Sequence, residues 1–203
     1  MNEGICSTGM ESNTGQWAAR GYTCQDCHMP AIKRPLMSGY PVREGRKHTW
    51  PGAYSTTQLQ KVFTFKATAK QNELSITITN SGAGHKAPTG DTDRFITLDF
   101  FWIDEKGQRT ELDSIEFKRQ VVWQPIMFVL ADNRLGAGES TQFTSTIPEA
   151  TPNKKGILYV NGTYHVMTDR SLKRLKEKFE LKNEWPIHRP FIEQQEIKIQ
   201  WLH

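Results

Sequence analysis

Phe63-Thr64-Phe65-Lys66-Ala67-Thr68-Ala69-Lys70-Gln71-Asn72-Glu73-Leu74-Ser75-Ile76-Thr77-Ile78 decides the fold class. Leu59, Phe63, Phe65 and Ala67 fall on one face of a period-two pattern, and Leu74, Ile76 and Ile78 resume it after Gln71-Asn72. That is the signature of two half-buried strands joined by a turn. Downstream, the same alternation marks strands at 95–103, 114–118, 121–130, 141–147, 156–166 and 196–201. Turn signals at 105–107, 133–138 and 148–153 lie between them. Seven or eight short strands at this spacing predict a mostly β chain built as an antiparallel β-sandwich of Ig-like or Greek-key type. One helix is expected, over 169–181, where Leu172, Leu175 and Phe179 recur at helical spacing opposite a Lys/Arg-rich face.

Upstream the character changes. Residues 1–55 are glycine-rich, carry Pro30, Pro35, Pro41 and Pro51, and sustain no apolar period. Such chain forms at most short helical turns and cannot make a core of its own, so it needs something large and apolar to wrap around. With 36% apolar and 24% charged residues, the 203-residue whole describes an ordinary globular protein rather than a disordered one. The net charge of +4 is spread along the chain and makes no case for nucleic acid. No apolar run is long enough for a membrane span. The start lacks the basic and apolar regions of a secretory signal peptide.

Cys24-Gln25-Asp26-Cys27-His28 has the C-x-x-C-H form of a c-type haem attachment site. Two intervening residues let both sulfurs reach the two vinyl groups of one porphyrin, while the adjacent histidine turns its imidazole to the iron. Cys24 and Cys27 are therefore expected as thioether partners and His28 as the proximal axial ligand of haem c. The rival readings are a redox dithiol and half of a zinc site. The first should open a helix in a βαβ pattern, which is not visible; the second needs four ligands, of which Cys6 is a candidate. Met29 adjoins the proximal ligand and is expected to pack at the haem edge, and Pro30 turns the chain outward. The organisation expected is a haem-binding segment over 1–55 and a β-sandwich domain over 56–203. Haem attachment takes place outside the bacterial cytoplasm, so a periplasmic or extracellular location is expected. The displayed chain is then a mature form or a piece of a longer precursor.

One protein ligand leaves haem iron open to small molecules, and two make it an electron carrier. His85, in Gly82-Ala83-Gly84-His85-Lys86-Ala87-Pro88-Thr89-Gly90, is the first choice for the distal ligand, because the glycines and proline permit a compact bent loop that holds one imidazole. His48, in Arg46-Lys47-His48-Thr49-Trp50-Pro51-Gly52, is the second, although its basic neighbours also describe a solvated stretch. Arg43, Arg46 and Lys47 are alternatively partners for haem propionates. Met10 and Met37 are further possible ligands. His165, His188 and His203 are expected as ordinary surface or core histidines.

Taken in order, the CxxCHMP segment, His48-Thr49-Trp50-Pro51-Gly52 and the Gly84–Gly90 loop with Arg94 downstream resemble the C-terminal part of bacterial multihaem c-type cytochromes of the c552/c554-like group. The resemblance covers residues 22–94 and, by general character only, the β region beyond. It implies His28 as proximal ligand and His48 and His85 as candidate distal ligands, one of them serving a neighbouring haem. The group carries several CxxCH motifs where this chain has one, so further haems would lie in missing sequence or on another chain.

The function expected is electron transfer by a c-type cytochrome with one covalent, bis-histidine haem, exchanging electrons with other cytochromes or redox proteins, within a larger multihaem assembly or a homo-oligomer. Nothing in the sequence demands a substrate, so a carrier is favoured over an enzyme. The alternatives are a haem enzyme with an open iron, of peroxidase or nitrogen-oxide type, and an assembly module for a multihaem complex or filament that docks through the basic helix.

Overall fold

Two β-sheets share one apolar core, and the alternation around residue 70 supplies much of it. The computed structural model describes residues 7–147 and 156–202. In chain order come α1 (Thr8–Asn13), α2 (Gln16–Ala19), α3 (Cys24–His28), β1 (Ala31–Pro35), β2 (Val42–Arg46), α4 (Thr56–Leu59), β3 (Phe63–Lys70), β4 (Glu73–Asn80) and β5 (Phe95–Asp104). Then follow β6 (Arg109–Val122), β7 (Phe128–Asp132), β8 (Ser140–Thr146), β9 (Gly156–His165), α5 (Asp169–Phe179), β10 (His188–Ile197) and β11 (Ile199–Trp201). One sheet runs β10-β9-β5-β6-β7, a second β11-β3-β4-β8, and β1-β2 is a separate hairpin. The pairing is antiparallel throughout except where β11 lies parallel to β3.

The register explains the core. Phe65 faces Ile78, Ala67 faces Ile76 and Ala69 faces Leu74, so the apolar members of both strands sit on one side. Ile96, Leu98, Phe100 and Trp102 do the same for β5. Ring pairs cross between the sheets: Phe63 stacks on Phe117 at 5.3 Å, and Phe100 stacks on Phe143 at 5.1 Å. Each fully buried side chain of this size contributes about 1.5–3 kcal/mol of transfer free energy.

The mostly β, antiparallel reading holds, with differences at three places. The strands expected at 114–118 and 121–130 divide elsewhere: β6 runs on to Val122 with a bulge against β7, and the break falls around Pro125, which has no N–H for a ladder. The strand expected at 196–201 is split at Lys198, where the chain leaves the first sheet and joins the second. The β1-β2 hairpin was not expected, because its residues are exposed or half-exposed and carry no apolar alternation. The helix expected over 169–181 forms over Asp169–Phe179, capped by Thr168 and closed by a left-handed Glu180 at φ 50°. The turn expected at 148–153 lies outside the described residues.

Candidate functional site

α3 is five residues long, too short to persist without help. It receives help at both ends. Thr23 and Asp26 form a capping box, with the Thr23 backbone N–H donating to the Asp26 carboxylate at 2.7 Å. At the other end Arg46, from β2, donates to the Gln25 carbonyl at 2.9 Å and the Met29 carbonyl at 3.3 Å, and pairs with Asp26. The Thr23 N–H and the Arg46 guanidinium together pull the Asp26 carboxyl down to about 2. The unforeseen hairpin therefore grips the motif helix through Arg46. Cys24, Cys27 and His28 follow one another at helical spacing, so they share a face of this turn. Both thiols are free and exposed.

His28 meets His85. Their ring centroids lie 6.4 Å apart with planes within 8° of parallel. His28 Nδ1 donates to the Pro51 carbonyl, and His85 Nδ1 donates to the Lys86 carbonyl at 2.8 Å. A carbonyl only accepts, so in both rings Nδ1 carries a proton and Nε2 is the nitrogen left to face a ligand. Burial pushes His85 below its ordinary value, opposed by the Lys86 carbonyl and reinforced by His28, which favours the neutral, ligating form. Two metal–nitrogen bonds of about 2 Å, with roughly 1.1 Å from nitrogen to ring centre on each side, would place two imidazoles on one metal about 6.2 Å apart. The observed separation meets that requirement.

The His85 loop is tied down by a buried asparagine. Asn80 Nδ2 donates to the His85 and Leu135 carbonyls, both at 2.9 Å, and its Oδ1 accepts from the Ala83 N–H at 3.0 Å. Gly82 passes so close to Lys61 that a Cβ would lie 1.8 Å from its carbonyl oxygen, which explains the residue type. Asn80 was missed in the sequence, yet it continues the inward phase of Leu74, Ile76 and Ile78. A polar residue at such a position is the signal that could have found it.

Beside the histidine pair lies a cavity of about 570 Å³. Cys27, Trp50, Leu59, Val62, Pro88 and Ile96 are in its apolar wall, and Arg94 and Tyr164 give it a polar end. A thiol on the motif helix, two near-parallel imidazoles 6.4 Å apart and an apolar hollow of this volume fit a covalently held planar tetrapyrrole. Residues from both sides of the expected boundary at 55/56 line this hollow.

The other candidates fall elsewhere. His48 is exposed and lines a separate cavity of about 80 Å³ with Arg34, Arg43 and Arg46. Met10 and Met37 are exposed and line no part of the larger cavity. His165 and His188 form a chain: Thr97 Oγ1 to His165 Nε2 at 2.9 Å, His165 Nδ1 to His188 Nδ1 at 2.6 Å, and His188 Nε2 to Asp169 at 3.0 Å. Among the described residues no three His, Cys, Asp or Glu side chains gather as a metal site needs. Cys6 and His203 lie outside the described residues.

In fold the chain is similar to a penta-heme cytochrome c552 from Thermochromatium tepidum, with a TM-score of 0.63 and 19% identity. The likeness covers 92% of this chain and 48% of that one, so the chain spans about half that protein's length. No family model and no curated protein matches the sequence.

Proposed function

We propose that this chain is an electron-transfer unit of c-type cytochrome character, with residues 1–55 binding the haem and residues 56–203 forming the β-sandwich that covers it. In this reading Cys24 and Cys27 hold haem c as thioethers, His28 is the proximal ligand and His85 the distal one. The observation that carries it is the His28–His85 pair, 6.4 Å apart and near-parallel beside Cys27. When bound, a bis-imidazole haem supplies reversible one-electron exchange. The chain's own part is to fix both rings by their Nδ1 bonds, to keep water from the Nε2 faces, and to hold the pocket apolar so that the potential stays set. With both axial positions filled, no site is left for a substrate, so the carrier reading stands ahead of an open-iron enzyme.

The likeness to half of a penta-heme protein supports further haems in the working assembly, upstream or on another chain. His48, exposed away from the His28–His85 pair, is better suited to a neighbouring haem than to this one. Redox proteins are the partners, and the periplasm or cell exterior is the location, because the attachment chemistry takes place there.

The test is a pyridine haemochrome assay with denaturing mass measurement on natively matured protein, followed by absorption spectra. We expect one haem increment for this motif and a low-spin spectrum indifferent to carbon monoxide. His85→Ala becomes high-spin and binds carbon monoxide, whereas His48→Ala leaves the spectrum alone. A mass without haem, or a His85→Ala spectrum like the parent's, defeats the reading.

A further inference from the structure

The cavity lining includes a cation with an unused buried donor. That cation is Arg94, whose Nε–H is buried with no acceptor among the described residues. Arg94 Nη1 donates to the Thr89 carbonyl at 3.3 Å, and Tyr164 lines the same cavity. A guanidinium only donates and a phenol has a proton to donate, so the two can serve one carboxylate together. A buried donor left without a partner is costly, and a ligand carboxylate would satisfy it. Gly90 makes room for this arrangement: it sits at φ 91°, and a Cβ would lie 2.8 Å from Arg94 Nη1.

We propose that Arg94 and Tyr164 form the carboxylate anchor of this cavity, the guanidinium and phenol together receiving a haem propionate. This rests on the haem reading and assigns residues that reading leaves idle. The charged and titratable groups around the anchor are Asp91 on its own loop, Tyr54 from the segment before α4, and Arg189 from β10, whose guanidinium lies 4.3 Å from the Tyr54 ring centre. Burial pushes the Tyr164 phenol up to about 12, so it stays a donor at neutral pH.

The experiment is a spectroelectrochemical titration of the holoprotein, with resonance Raman spectra of the propionate bending modes, for the parent, Arg94→Gln, Arg94→Lys and Tyr164→Phe. Loss of a cation beside the iron favours the ferric state, so Arg94→Gln lowers the potential. A carboxyl deprived of its partner in a cavity ionises at higher pH, so the same variant gains a potential that rises as pH falls through the neutral range. Arg94→Lys keeps the charge but not the fork and shifts the Raman mode with a smaller change of potential. Tyr164→Phe shifts the Raman mode alone. If Arg94→Gln holds the parent's potential, pH slope and Raman mode while remaining low-spin, the anchor is disproved and the haem reading survives. Should Arg94→Gln not accumulate, an unshifted mode in both Arg94→Lys and Tyr164→Phe disproves it. A parent without covalent haem overturns both.

Discussion

The two parts of the chain are held by different physics. From Leu59 onward, buried apolar side chains accumulate in one cluster; before it, the described residues bury no apolar side chain, and the buried residue there is Ser7. Besides half-buried packing such as that of Ala53 against the cluster, a polar clasp ties the N-terminal part to the β part. Glu11 of α1 accepts from Ser7 at 2.7 Å, Thr89 at 2.8 Å and Arg134 at 3.0 Å, and Arg134 also pairs with Asp132 at 2.8 Å. A core tolerates solvent changes that a charged clasp does not. The lesson is that residues 7–55 take their order from the clasp, from Arg46 and, on the proposed reading, from the haem.

The sharpest way to separate the parts is to attack the core. Phe100 is fully buried between Phe65 and Phe143. Phe100→Ala should cost about 3–5 kcal/mol of global stability by loss of transfer free energy and creation of a cavity. Urea unfolding followed by far-ultraviolet circular dichroism measures it. A loss below about 1 kcal/mol would show that the sheets do not rely on this contact.

Next comes the clasp. The Arg134 side chain is 3% exposed, with Glu11 at 7% and Asp132 at 12%. Arg134→Met takes from Glu11 its cation and leaves Asp132 with Lys86 alone, at a cost of about 3 kcal/mol. Hydrogen exchange should then rise in α1 and in the loop carrying His85 before it rises in β4 or β5. Uniform acceleration would erase the distinction between the parts.

Acid should open the same clasp without a mutation. Burial alone would raise the Asp132 carboxyl, but hydrogen bonds from Arg134 and Lys86 outweigh it and bring it down to about 2; Glu11 is also held below its ordinary value. Depressed carboxylates stabilise the fold above their unfolded value and lose that contribution as pH falls from about 4 toward 2. Pepsin at about pH 3 should cut first among residues 7–55 in the parent. In Asp132→Asn the same cuts should appear at higher pH; an unchanged onset would exclude the clasp as the cause.

How much of this was legible follows the same division. Leu74, Ile76 and Ile78 announce their strand because the signal is local and repeats every second residue. On the proposed reading, Cys24, Cys27 and His28 are legible because the attachment chemistry imposes a fixed spacing. His85 stood out by its loop, and Asn80 was readable in phase although it was overlooked. Arg134 and Glu11, 123 residues apart, carry no local trace of each other. The β1-β2 hairpin is silent for a related reason: it answers to Arg46 and Asp26, not to an apolar face. Arg94 and Tyr164 come to one cavity only once β5 and β9 pair.

The smallest effect tests whether the β part has a polar weakness of its own. His165 stacks on Phe95 at 4.0 Å and shares a single proton position with His188 across 2.6 Å. A second proton would set N–H against N–H. Burial, then the neighbouring His188, lowers His165 below its ordinary value. A histidine depressed in the folded state binds protons better when unfolded, so stability is present above the ordinary histidine value of about 6.5 and declines as pH falls below it. The holoprotein Tm should therefore fall modestly between about pH 7.5 and 5.5, and His165→Gln should flatten that slope. The loss should appear at the β9-β10 end of the sheet and leave the haem spectrum untouched, because Tyr164, the next residue along β9, faces the cavity while His165 faces away. An unchanged slope in the variant would assign the decline to another group and leave the β part without an acid-sensitive contact of its own.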